Sequence, residues 1–237
     1  MTGILFALTA ALLWGSGDFS GGFATRKASP FQVLALSAIA GVVVLASAAL
    51  FTHETLPPAT GILWSLMAGL SGAVGITSLY TALSRGNAAA VAPISAVLGA
   101  AIPVGFTFLL RGSPAALQVV GFGIAFIGIW LVSRSAPVEG QKTNSRLGLA
   151  FLAGAGFGGY FIFIGQVEDT GVFIPLLIAR GVMFLSALLI LAFKRLPLPS
   201  LRANLVAPLA GVLDSAGNVF FLLAISFSRL DFAVVIS

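Results

Sequence analysis

Residues 31–51 read FQVLALSAIAGVVVLASAALF, 21 positions without one charged side chain. At 1.5 Å per residue, a helix of that length reaches across the roughly 30 Å hydrocarbon core of a bilayer. In water such a helix has no polar face to turn outward, whereas in lipid it needs none. Comparable runs lie on both sides of it. Spans are expected at Gly3–Ala24, Phe31–Phe51, Gly61–Ser84, Ala88–Leu110, Ala115–Ser133, Leu147–Gln166, Val172–Phe193 and Leu205–Ser226, with a ninth opening at Phe232. Charges and helix breakers separate them, as in Arg26-Lys27-Ala28-Ser29-Pro30, Glu54 to Pro58, Arg111-Gly112-Ser113-Pro114 and Lys194 to Pro199.

Composition agrees with this reading. Of 237 residues, 59% are hydrophobic and 8% charged, with a mean hydropathy of +1.10. A soluble domain carries about 25% charged residues to coat its surface, so this chain is expected to present its sides to lipid. Twenty Phe and 28 Gly supply large groups for the lipid side and small ones where helices press together. The absence of Cys excludes a disulfide framework, a thiolate nucleophile and cysteine metal sites. The formal charge of +5 comes from basic residues scattered singly between apolar runs, which is not a nucleic-acid surface. The start, MTGILFALTAALLW, lacks a basic leader region and reads as a first span.

The basic residues sort by loop. Arg26, Lys27, Arg85, Arg134, Lys142, Arg146, Lys194, Arg195 and Arg202 follow odd-numbered spans; only Arg111 and Arg229 fall on the other side, with Glu54, Glu168, Asp169 and Asp231. By the positive-inside rule the N-terminus is expected outside the cell.

The chain also repeats itself. Ala82-Leu83-Ser84 returns as Ala224-Ile225-Ser226 and Ile94-Ser95 as Ile236-Ser237, while Gly69 and Gly75 fall on Gly211 and Gly217, all at one separation. The polar segment Arg134 to Arg146 divides the copies. A first repeat is expected over 1–135 (spans one to five) and a second over 146–237 (spans six to eight and the start of nine). An odd number of spans per copy forces opposite polarity on the two copies. The expected fold is therefore an all-α polytopic transmembrane bundle of two inverted five-helix repeats, the second truncated. Inverted repeats are the usual build of secondary transporters, with the site between them near the midplane.

Trp14-Gly15-Ser16, Tyr80-Thr81-Ala82-Leu83-Ser84-Arg85-Gly86 leading into Ala92-Pro93, and Leu117-Gln118 with Gly121 resemble the EamA family of the drug/metabolite transporter superfamily. The resemblance covers essentially the whole chain. It implies ten spans in two inverted repeats, a central cavity, and export or exchange of small metabolites by alternating access. The chain departs from the family in reading Arg111-Gly112 where a Gly-Glu pair is common, in its charge-derived orientation, and in stopping as the ninth span begins.

Ionisable residues inside spans are functional candidates, since each costs about 2.5–3.5 kcal/mol on insertion scales. Asp18, Arg180 and Asp214 meet that description. Asp18 follows Trp14 by one helical turn, and Asn218 follows Asp214 likewise, so each pair shares a face. Arg180 is placed to neutralise either aspartate or to attract an anionic substrate. An ion pair that only locks helices is the alternative for Arg180 and Asp214, and an interfacial position late in its span the alternative for Asp18. Tyr80, Tyr160 and Phe163, with Gln166, are expected to line a cavity or to form a packing stripe or interfacial belt. The expected substrate-binding set is Trp14, Asp18, Tyr80, Tyr160, Phe163, Arg180, Asp214 and Asn218. Pro93, Pro103, Pro175 and Pro208 lie within or near spans, where they can free backbone carbonyls.

No cofactor or metal is expected; the expected partners are a small-molecule substrate and the lipid bilayer, with a proton as coupling ion and no nucleic acid. Gly69-Leu70-Ser71-Gly72 resembles the rhomboid serine motif, but the single histidine, His53, lies in a loop. Gly15-Ser16-Gly17-Asp18 resembles the motif of intramembrane aspartyl proteases. Asp214 follows Leu213 rather than the Tyr of that family's second signature, and the order is reversed. The expected function is export of small organic metabolites across a bacterial cytoplasmic membrane, not enzymatic. The competing readings are the aspartyl protease and a non-transporting membrane scaffold.

Overall fold

The structure, a computed structural model, describes residues 1–84, 88–112, 116–134, 144–167, 171–198, 200 and 204–237. Among these residues the chain is all-helical: α1 (Thr2–Ala24), α2 (Pro30–Phe51), α3 (Ala59–Ser84), α4 (Ala88–Arg111), α5 (Ala116–Arg134), α6 (Asn144–Ile164), α7 (Phe173–Phe193), α8 (Val206–Phe227) and α9 (Leu230–Ile236). The expected spans match these helices to within a few residues at each end. Helix α6 stops at Ile164, short of Gln166, and α9 starts at Leu230, ahead of Phe232. Six helices, α1–α4, α7 and α8, contain segments long and apolar enough to cross a membrane, and α6 contributes a shorter apolar stretch, Gly148–Ile164. Arg85, Gly86, Lys142, Glu168, Asp169 and Arg202, counted in the charge and motif readings, lie outside the described residues.

Side-chain size sorts inside from outside. The buried positions are dominated by small residues such as Ala7, Ala10, Ala38, Ala68, Ala153, Ala179 and Ala210, while Leu5, Leu12, Phe19, Leu70, Leu109 and Phe193 are exposed. Small interior residues let helices approach until van der Waals contact holds them, and the large apolar groups face lipid at no cost.

Helix ends are set by local chemistry. Ser29 and Gln32 close a capping box at α2: Gln32 N–H donates to Ser29 Oγ at 3.2 Å, and Ser29 N–H to Gln32 Oε1 at 3.0 Å. At the other end of α2, His53 takes φ +52, and Glu54 N–H donates to Ala49 O at 3.2 Å. Helix α7 ends the same way, with Arg195 at φ +52 and Leu196 N–H donating to Leu191 O at 2.9 Å. Both are left-handed terminations of the Schellman type, which satisfy the last carbonyls.

Helix α1 runs along α8, α6 along α3 and α4, and α2 lies against α7 and α8, with α3 also on α7; α5 and α9 both lie on α4. At one end of the bundle Gln32 Nε2 donates to Pro197 O at 2.8 Å, Asn204 Nδ2 donates to Ala24 O at 2.9 Å, and Lys194 sits 5.1 Å from the Phe31 ring. The connections that follow α1 and α7 thus share that end. At the other end, Glu54 caps α7. Its Oε1 accepts from Val172 N–H at 2.5 Å and Phe173 N–H at 3.1 Å, and its Oε2 from Ile174 N–H at 2.7 Å.

Candidate functional site

The prolines Pro93 and Pro103 lie inside α4. On that helix Ala92, Ser95, Ala96, Gly99 and Ala100 present one small-residue face at helical spacing. Small side chains on a wall leave room before it, and a cavity of about 380 Å³ opens there, within the range of small-molecule sites. Its walls come from α1, α3, α4, α6, α7, α8 and α9, and they are mostly apolar.

Six of the eight candidate residues line this cavity: Trp14 and Asp18 from α1, Tyr160 from α6, Arg180 from α7, and Asp214 and Asn218 from α8. Arg180 Nη2 is paired with Asp214 Oδ2. Arg180 is 5% exposed and Asp214 26%, so the pair is anchored on the buried side by the guanidinium. Arg180 Nη1 also points to Met183 Sδ at 3.6 Å. Asn218 Nδ2 donates to Asp214 O at 2.6 Å and to Asp214 Oδ2 at 3.3 Å, and Tyr160 O–H donates to Asn218 Oδ1 at 2.7 Å. A continuous polar chain therefore runs from α6 through α8 to α7. Asp18, facing the same space, has no hydrogen-bond or ion-pair partner among the described residues.

The remaining two candidates sit elsewhere. Tyr80 is one turn past Ile76 on α3, buried, with its ring packed against Gly21 of α1. Phe163 stacks on Trp64, ring centroids 6.0 Å apart, away from the cavity. Three-residue steps drift by about 60° on an α-helix, so Tyr160, Phe163 and Gln166 do not hold one direction. Gln166 instead donates to Ile162 O at 3.3 Å. Phe157 and Phe161 take the places beside Tyr160 that the stripe assigned to its neighbours. Phe157 lies three residues before Tyr160 and Phe161 one after it, so no single helical spacing marked the set in the sequence.

An aromatic cluster backs the α1 wall. Trp14 lies 5.4 Å from both Phe161 and Phe221, and Phe161 lies 5.0 Å from Phe221. Helices α1 and α8 meet closely enough that a Cβ on Gly217 would stand 2.5 Å from Trp14 Cδ1.

The residues of the two protease-like motifs do other things. Ser71 Oγ donates to Gly156 O at 3.0 Å, tying α3 to α6, while His53 belongs to the turn that ends α2. Asp18 and Asp214 share the cavity, but the carboxylate of Asp214 is engaged by Arg180 and Asn218 rather than by Asp18. Among the described residues no three His, Asp or Glu gather into a group able to hold a metal ion.

An uncharacterized protein of Methanocaldococcus jannaschii is 26% identical over 135 residues, which is 56% of this chain and 98% of that protein. The model of the EamA-like transporter family matches residues 1–134, from the start of the chain to the last residue of α5. The match covers more than half of a multi-pass helical chain whose cavity is walled by helices from both halves, and this protein belongs to the EamA-like transporter family.

Proposed function

We propose that this protein is a secondary transporter that exports small organic metabolites, amino acid-like or drug-like, by alternating access. The observation that carries the reading is the cavity itself: two carboxylates and a guanidinium gathered in a largely apolar space that both halves of the chain enclose. Charges held there are expensive unless they meet a ligand or each other.

Two inverted repeats, 1–135 and 146–237, supply the moving parts in this reading. The packing supports it. Helices α1 and α6, first in each copy, exchange partners, α1 lying on α8 and α6 on α3, while α2 pairs with its counterpart α7. The left-handed turns at His53 and Arg195 end α2 and α7 alike, at the same separation as the recurring Ala-Leu/Ile-Ser triplets. The family model also ends at residue 134, where the first copy is taken to end. Rocking one copy against the other would present the cavity to each side in turn.

A proton is the proposed coupling ion, taken up at an aspartate of the cavity, because protonation removes the cost of a lone charge in the membrane. The membrane is taken to be a bacterial cytoplasmic one, with the N-terminus outside according to the distribution of Lys and Arg.

The reading disfavours both rivals. An aspartyl protease needs two carboxylates sharing one proton, and Arg180 occupies one of them. A scaffold has no use for a polar cavity. The test is resistance: cells expressing the gene, challenged with a panel of toxic metabolite analogues, should tolerate higher doses of at least one. Arg180→Ala, still inserted in the membrane, should lose that tolerance. Equal tolerance with and without the intact cavity removes the transport reading, and cleavage of a labelled single-span protein would install the protease in its place.

A further inference from the structure

Three ionisable side chains face the cavity: Asp18, Arg180 and Asp214. They are not equivalent. Arg180 and Asp214 neutralise one another, and Asp214 is further held by Asn218. The Arg180 group is also turned onto Met183. Asp18 faces the cavity from α1, the helix that packs along α8, with no hydrogen-bond or ion-pair partner among the described residues. With all three side chains ionised, the balance over them is one uncompensated negative charge.

Aromatic rings share the cavity with that carboxylate. Trp14 is one turn from Asp18 on the same helix, and Phe161 lies 5.4 Å from Trp14. Tyr160, 5.7 Å from Phe161, is on the adjoining wall, and its hydroxyl is spent on Asn218. Both rings of the Trp14–Phe161 contact line the cavity. A carboxylate beside aromatic faces is the chemistry that holds an organic cation, the carboxylate by charge and the rings by their negative faces. A neutral ligand would leave the Asp18 carboxylate with only a proton to neutralise it. A zwitterion would need a second cation for its own carboxylate, and the only cation lining the cavity among the described residues is already paired.

We infer that Asp18 is the recognition residue of this cavity and that its cargo is an organic monocation, an amine or quaternary ammonium bearing an apolar body. The inference rests on the transport reading for the word cargo and on the cavity geometry for the rest. Arg180 and Asp214 then hold α7 to α8 and set the background charge without meeting the positive group directly.

Binding and flux test the two parts separately. Benzyltrimethylammonium carries a charge that no pH change removes; neopentylbenzene has the same shape with carbon in place of nitrogen. Equilibrium dialysis against the purified protein in detergent should give the cation an affinity about tenfold or more above its carbon counterpart. Asp18→Asn should erase that preference and Asp18→Glu should keep it. Equal affinity of the unaltered protein for both compounds overturns the inference, with no variant needed. So does a preference that survives in Asp18→Asn. In proteoliposomes, movement of the labelled cation that depends on Asp18 supports both readings. Asp18-dependent binding without any movement upholds the site and removes transport.

Discussion

Arg180 on α7 and Asp214 on α8 are ion-paired across the wall of the cavity, and Asn218, one turn on from Asp214, hydrogen-bonds the same carboxylate oxygen. The pair joins two helices that otherwise touch little, since α7 and α8 pack mainly on α2, α3 and α1. Removing either partner strands the other charge. Arg180→Met is expected to cost about 2–3 kcal/mol, less than the about 3–5 kcal/mol of a fully buried pair, because Asp214 is partly exposed. The double variant Arg180→Met/Asp214→Leu should recover most of that loss. Thermal unfolding in detergent measures both, and a double variant no more stable than the single one would show that the pair is not the cause.

The hydroxyl of Tyr160 has Asn218 Oδ1 as its hydrogen-bond acceptor, at 2.7 Å. Tyr160→Phe keeps the ring and strands that acceptor, so a stability loss of about 1 kcal/mol is expected. Because Asn218 then lacks one of its restraints, ligand affinity should also change in this variant. Unchanged unfolding and unchanged affinity together would assign the contact no role.

Glu54 and Gly171 form one device. The carboxylate takes three backbone N–H groups at the start of α7, where a negative charge also meets the positive end of the helix. Gly171, at φ +103, leaves the space that the carboxylate fills; a Cβ there would collide with it. Glu54→Gln is expected to cost about 1–2 kcal/mol. Gly171→Ala should cost at least as much, through backbone strain together with displacement of Glu54. Combining the two should give less than the sum. Strict additivity in unfolding measurements would argue against a shared mechanism.

Orientation is open to chemical labelling, because the chain has no Cys of its own. Single substitutions His53→Cys and Arg229→Cys should react with an impermeant maleimide on intact cells, while Lys27→Cys and Lys194→Cys should react only after the membrane is opened. The structural pairing of the α1 and α7 connections through Asn204 and Ala24 requires Lys27 and Lys194 to behave alike. Opposite labelling of those two would contradict the fold, whereas reversal of all four would only reverse the orientation.

A cavity variant follows from the closeness of α1 and α8. Gly217→Ala places a methyl group against Trp14, which must turn or push α1 away at a cost of about 1–3 kcal/mol. Affinity for the cavity ligand should fall along with stability. A change in stability without any change in affinity would put Trp14 outside the binding surface.

Span positions, the all-helical class and the candidate ionisable residues were legible in the chain itself. The reason is that a bilayer imposes its demand locally: each stretch of about 20 residues must satisfy its own backbone and hide no charge. Residues such as Asp18, Arg180 and Asp214 therefore stand out wherever they occur. What they do to each other was not legible. Arg180 pairing with Asp214 and leaving Asp18 alone depends on which helix faces meet, and that is decided by the packing of Gly and Ala contacts far apart in sequence. Tyr80 and Phe163 show the same limit, as both are aromatic and set in or beside the right helices, yet a rotation of less than one turn sends them against Gly21 and Trp64 instead of into the cavity. Membrane insertion is read one helix at a time, but a binding site exists only once several helices have chosen their neighbours.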